Sequence, residues 1–125
     1  MNSQISWHVE LQVKPGQLET LRALTTEMVD SAKSEPGALI YERFLSEDGQ
    51  VVHGFERYID SAAAMAHLAA FEALYRERFA RLVERKQFTV LGTPSPELRQ
   101  MLDRFGATYS PGLAGFVRVQ SSGGN

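Results

Sequence analysis

"EPGALIYERFLSEDGQVVHGFERYID", residues 35–60, decides the fold of this chain. Two strand-like runs, near 38–46 and 50–59, flank Asp48-Gly49, a dipeptide that tolerates the positive φ angles of a tight type I′ turn. A two-residue loop there sets Tyr41 opposite Glu56, Arg43 opposite Gly54, Leu39 opposite Tyr58 and Leu45 opposite Val52. The other face then holds Ala38, Ile40, Glu42 and Phe44 against Ile59, Arg57, Phe55 and His53. Both faces mix large apolar side chains with charges, whereas a surface hairpin would separate them. Helices cover only one sheet face of a two-layer α+β domain. The bare face would expose an apolar patch of the kind monomers avoid. A second copy of the sheet packed against it removes the difficulty, and interstrand ion pairs such as Glu42 with Arg57 account for some of the charges.

Upstream, "ISWHVELQV" (5–13) alternates Ile5, Trp7, Val9, Leu11 and Val13 with Ser6, His8, Glu10 and Gln12, the pattern of a half-buried strand. The following run shifts to helical spacing, with Leu18, Leu21, Leu24 or Thr25, Met28 and Ala32 on one stripe, and Pro36-Gly37 ends it. Downstream, Asp60 and Ser61 are both suitable N-caps for a helix running to about Arg85. Its expected stripe is Met65, Leu68, Leu74 or Tyr75, Phe79 and Leu82, with Phe71 marking a bend or a second face. "QFTVLGTP" gives a fourth strand. The order is βαββαβ over about residues 5–94 of a single domain.

Residues 95–119 read as an appended arm. Ser95 caps a short helix with Pro96 at its first position, and Leu98, Met101, Leu102 and Phe105 form an apolar stripe. After a turn at Ser110-Pro111-Gly112, "LAGFVRV" is expected as an edge strand. So striped a helix must lie against its own domain or a neighbouring subunit. The tail, 120–125, is too polar and glycine-rich to order itself.

Composition narrows the function. Thirteen basic against fifteen acidic residues in 125 give a net charge of −2, so no basic field points toward nucleic acid. No apolar stretch is long enough to cross a bilayer, and the N-terminus lacks a signal-peptide pattern. Without cysteine there is no thiolate nucleophile or disulfide framework, and the expected location is the cytoplasm. His8, His53 and His67 are widely spaced, so no metal is expected.

The pattern "EPGALIYERF", an acidic-glycine turn, then "FERYIDSAAAMAHL" resembles the antibiotic biosynthesis monooxygenase family of dimeric α+β barrel proteins. The features that carry the resemblance are Pro36-Gly37, Tyr41 with Phe44, Glu56 with Tyr58, and His67, over roughly residues 5–92. The resemblance implies a ferredoxin-like βαββαβ fold with an antiparallel sheet, and a homodimer whose two sheets close into a barrel. For some members it also implies O₂-dependent oxygenation of aromatic phenols or quinols without metal or flavin. Tyr58 stands where many members carry tryptophan, and Arg43 where an aliphatic residue is common.

On this reading His67 is the candidate base, since an imidazole near neutrality takes a proton from a phenol. A partly buried helix histidine bonded to a neighbour is the structural alternative. Tyr41 and Glu56, facing each other across the hairpin, form a polar anchor for substrate or simply a buried pair that satisfies itself. Trp7, Met65, Phe71, Tyr75 and Tyr58 are candidates for the wall of a flat aromatic pocket, though core packing explains such residues in most proteins. Arg43 and Arg57 more readily form salt bridges than bind an anion. The same scaffold also suits an isomerase of small hydroxy-carbonyl compounds, a haem degrader, or a non-catalytic binding or stress-response dimer.

Overall fold

The computed structural model describes residues 3–118. The expected tail at 120–125 lies outside them. The alternating run becomes β1 (Ile5–Val13), and its odd-numbered side chains are all buried. Helix α1 (Leu18–Lys33) buries Leu21, Leu24, Met28 and Ala32, the stripe expected from their spacing. Strands β2 (Ala38–Leu45) and β3 (Val51–Tyr58) form the hairpin. Helix α2 (Ser61–Leu74) starts at Asp60, whose carboxylate accepts the Ala63 N–H at 2.8 Å. Helix α3 (Arg76–Ala80), strand β4 (Val83–Leu91), helix α4 (Pro96–Asp103) and strand β5 (Thr108–Ser110) follow.

The strands lie in the order β2-β3-β1-β4-β5, antiparallel except for the β4–β5 pair. This is a ferredoxin-like α+β fold whose five-stranded sheet is mixed. Burial shows which hairpin face the helices cover. Val52, Gly54, Glu56 and Tyr58 of β3 are buried together with Trp7, Val9 and Leu11 of β1, while Val51, His53, Phe55 and Arg57 are only half-buried. The open face carries His8 and His53, their rings stacked with centroids 5.2 Å apart and Nε2 3.0 Å from Nδ1. No helix among the described residues is long and apolar enough to cross a membrane.

The expected pairings of Tyr41, Arg43 and Leu45 hold, but the turn differs. The Ser46 carbonyl accepts the Gly49 N–H, Ser46 N–H bonds the Val51 carbonyl, and Gly49 alone has positive φ, at 74°. The connection is thus longer than a two-residue type I′ loop, with Asp48 Oδ1 accepting from Ser46 Oγ and the Gln50 N–H. Register survives because each strand gives up one residue to the loop. At the far end a bulge at Leu39 pairs Ala38, not Leu39, with Tyr58.

Three further expectations are corrected. The helix after Asp60 does not reach Arg85: it breaks at Tyr75 and gives way to β4 at Val83. Pairing of Val83 with Val13 and Arg85 with Leu11 overrides the helical propensity of that charged stretch. The edge strand is at Thr108–Ser110, before Pro111, whereas residues 113–118 have no regular structure and Leu113 is 98% exposed. Proline cannot donate to a ladder, so pairing stops there. Arg57 directs its guanidinium to Ser6 Oγ (2.8 Å) and Gln4 Oε1 (3.4 Å) rather than to Glu42. Helix α4, by contrast, resolves an open alternative: it lies on its own domain, with Leu98 and Leu102 fully buried.

Gly37 shows why the helix-ending Pro-Gly matters. A Cβ there would stand 2.5 Å from Ala63 Cβ and 3.2 Å from Ile59 Cγ2, so glycine lets the entry to β2 press against α2. Gly37→Ala is expected to lower stability by about 1–3 kcal/mol through overpacking. Urea unfolding checks it, and a loss within error would mean that α2 shifts freely.

Candidate active site

Four charged or polar side chains converge between the sheet and α2. Glu56, on β3, is 4% exposed and is the centre of the group. Its Oε2 accepts from Arg43 Nη2 at 2.6 Å, and its Oε1 accepts from the Tyr58 hydroxyl at 2.6 Å. Burial by itself raises the Glu56 carboxyl. The Arg43 guanidinium, His67 and the Tyr58 hydrogen bond outweigh it, and the carboxyl lies below its ordinary value. Burial and the carboxylate together push the Tyr58 phenol far up, so it stays a donor. Gly54 makes room for this pairing: a Cβ would stand 3.3 Å from Arg43 Cζ and 2.9 Å from Val9 Cγ2.

His67 lies inside the buried face of α2 with Ala64 and Leu68, rather than at its border, and is 8% exposed. Its Nδ1 is 2.9 Å from Glu35 Oε1 and 3.2 Å from Oε2, so the ring is held by a carboxylate from the loop before β2. Its Nε2 is 3.4 Å from Glu56 Oε1, beyond a good hydrogen bond. Nε2 is therefore the ring atom best able to exchange a proton with a third group. The Tyr41 ring meets His67 edge-on at 5.4 Å and the Tyr58 ring lies 5.0 Å away.

The two sequence candidates Tyr41 and Glu56 are brought together, but they do not bond as expected. Glu56 bonds Tyr58 and Arg43, while Tyr41 carries the Arg43 guanidinium 3.7 Å over its ring. The salt bridge expected of Arg43 is thus present, with Glu56 as its partner. Burial raises the Tyr41 phenol well above its ordinary value, with Arg43 opposing and Glu56 adding to the rise.

Tyr41, Arg43, Glu56 and His67 form one wall of a cleft. Trp7, Phe71 and Phe88 line it, as do Phe79, Met28 and Phe105. The unoccupied space, taken out to the solvent mouth, is about 450 Å³. Of the expected wall, Trp7 and Phe71 line the cleft. Met65 and Tyr75 pack against the core outside it, and Tyr58 stands behind His67 with its ring 4.9 Å from Trp7. Sequence reasoning missed Glu35, Arg85 and Phe105. Glu35 lies 32 residues from its partner His67, and Phe105 reaches the cleft from the arm, so neither carried a local signal.

Comparisons with known proteins agree with this architecture. The model of the family described as "Antibiotic biosynthesis monooxygenase" matches residues 5–84. No curated protein matches the chain significantly. Among solved structures, MupZ from Pseudomonas fluorescens superposes with a TM-score of 0.85 at 23% identity, over 94% of this chain and 91% of that one. Rv0793 from Mycobacterium tuberculosis gives a TM-score of 0.65 at 28% identity, over 74% and 97%. SnoaB from Streptomyces nogalater, a cofactor-independent oxygenase, gives 0.64 at 11% identity, over 74% and 95%. The MupZ likeness takes in most of the arm, whereas the other two cover about the share that the βαββαβ core occupies.

Proposed function

Since this chain belongs to the antibiotic biosynthesis monooxygenase family, we propose that it is a cofactor-independent monooxygenase of aromatic phenols or quinols. The observation that carries this reading is His67, buried at the wall of an aromatic cleft, oriented through Nδ1 by Glu35 and with Nε2 left for a proton. A phenolic proton passes to Nε2, and the charge gained by the ring is met by the Glu35 carboxylate. The resulting electron-rich anion gives its electrons to O₂ and a C–O bond forms. Cleavage of the O–O bond leaves one oxygen on the ring and releases the other as water. For a quinol the organic product is a hydroxyquinone, so the substrate itself supplies the electrons and the sum balances. Arg43, Tyr41, Glu56 and Tyr58 hold this wall rigid, and Trp7 and Phe71 supply flat apolar surface.

The test is O₂ uptake by metal-stripped protein over hydroquinones, naphthols and anthrols. Steady uptake matched by water-releasing oxygenation supports the reading. Silence across the panel moves the weight to a non-catalytic binding dimer or an isomerase on the same scaffold.

We also propose a homodimer formed through the open sheet face, with the arm at its edge. Support comes from Phe44 and Leu91, both exposed, and Phe55, half-buried, on a face that no helix among the described residues covers. Light scattering is expected to give twice the chain mass of 13.9 kDa. A Phe55→Asp variant should give the single mass, and a native monomer at micromolar concentration would overturn the proposal.

A further inference from the structure

Arg85 differs from Arg43, the other arginine lining the cleft, in having no acidic partner among the described residues. Arg43, which also lines the cleft, is neutralised by Glu56 at 2.6 Å. Arg85 lines the same cleft, yet among the described residues no carboxylate lies within ion-pair distance of it. Its side chain lies instead over an aromatic ring, with its Cζ 5.1 Å from the centroid of Phe105. Phe105 in turn stacks on Phe88 at 5.7 Å, and both line the cleft.

The backbone puts Arg85 there by a specific device. On β4, Phe88 and Val90 pair with Val9 and Trp7 and point toward the helices. Strict alternation from those residues would turn Arg85 to the open face. The register of β1 on β4 shifts between Glu10 and Leu11, so that Glu10 pairs with Gln87 but Leu11 pairs with Arg85. This bulge brings Arg85 onto the helix side, level with Leu11, and bulges are the usual means of re-aiming one side chain beside a site. Arg85 remains exposed to solvent along the strand, and the desolvation that it does undergo lowers its pKa from its ordinary value, but a guanidinium stays charged at any physiological pH.

We propose that Arg85 is the specificity residue for an anionic group on the aromatic substrate, a carboxylate held by the guanidinium fork while the ring lies against Phe105 and Phe88. A cleft with an aromatic wall and a planar cation that has no acidic partner among the described residues selects a flat molecule bearing a single negative charge, because such a ligand buries its ring and pairs its charge at once. The reacting end then points inward, toward His67. This inference rests on the aromatic-substrate reading above and narrows it to aromatic acids.

Anaerobic titration calorimetry with a naphthohydroquinone and its ring-carboxylated analogue tests it. The native protein is expected to bind the carboxylate about tenfold or more tightly than the neutral quinol. Arg85→Gln should erase that preference and Arg85→Lys should keep part of it, since lysine supplies the charge without the fork. Equal affinity of the two probes for the native protein would overturn the inference. So would a preference that persists in Arg85→Gln, which would place the anion on another cation. O₂ uptake on the same pair keeps the two readings apart. Uptake on the neutral quinol with no carboxylate preference sinks the Arg85 role and leaves the oxygenase standing. A carboxylate preference without uptake does the reverse, and failure of both binding and uptake overturns both.

Discussion

Glu56→Ala is expected to destabilise the protein by about 3–5 kcal/mol, because it leaves the Arg43 guanidinium buried without its counter-charge. The same change strands the Tyr58 hydroxyl, which donates to Glu56 from a fully buried position. In a chain of this size such a loss lowers Tm by on the order of 10 °C. Urea unfolding with an unchanged m-value would assign the effect to the native state. Combining Arg43→Met with Glu56→Leu should restore much of the loss, since an apolar pair needs no charge balance. A single-variant cost under about 1 kcal/mol would mean that water reaches the cluster. The sign with pH follows from the depressed Glu56 value. A carboxyl held below its unfolded value stabilises above the ordinary carboxylate range and loses that contribution as pH falls through the folded value. The gap between native protein and Glu56→Ala is therefore expected to narrow below about pH 4.

His67→Ala should leave the domain folded and cut O₂ uptake by roughly 10²–10⁴-fold, the usual contribution of a positioned base. His67→Gln is the sharper variant. Its amide N–H₂ can still donate to Glu35, so the packing of α2 is kept while proton exchange is lost. Equal damage in the two variants, with circular dichroism unchanged, supports the base role. Activity within about tenfold of native in His67→Gln would reduce the histidine to a hydrogen-bonded support of α2. Glu35→Gln separates orientation from chemistry: it should weaken turnover less than loss of the ring does, with the ring still in place but no longer held by a carboxylate.

Much of the architecture was legible because it repeats locally. Alternation in 5–13, the helical stripe from Leu21 to Ala32 and the Asp60 and Ser95 caps depend on residues a few positions apart, and the pairing of Tyr41 with Glu56 on the short turn between their strands. The family pattern was legible for a related reason: Pro36-Gly37 marks a crossing too tight for a Cβ, and Glu56 anchors Arg43, Tyr58 and the neighbourhood of His67. Where sequence reasoning failed, competing local signals had been settled by distant partners. The charged run after Arg76 reads as helix, yet pairing with β1 makes Val83–Leu91 a strand.

The sequence by itself determined β1, α1, the hairpin with the pairing of Tyr41, Arg43 and Leu45, the starts of α2 and α4, and the family, since periodicity and turn chemistry are encoded within a few residues. Only the tertiary structure decided which hairpin face the helices cover, and that Glu56 pairs with Arg43 and Tyr58 rather than Tyr41. Tertiary contact alone also set Glu35 on His67, and a bulge turned Arg85 into the cleft beside Phe105. For the partners of Glu56 and His67 the physical reason is the same. A buried charge takes whichever partner the packing of remote elements brings within about 3 Å, and that distance is written in no single stretch of the chain.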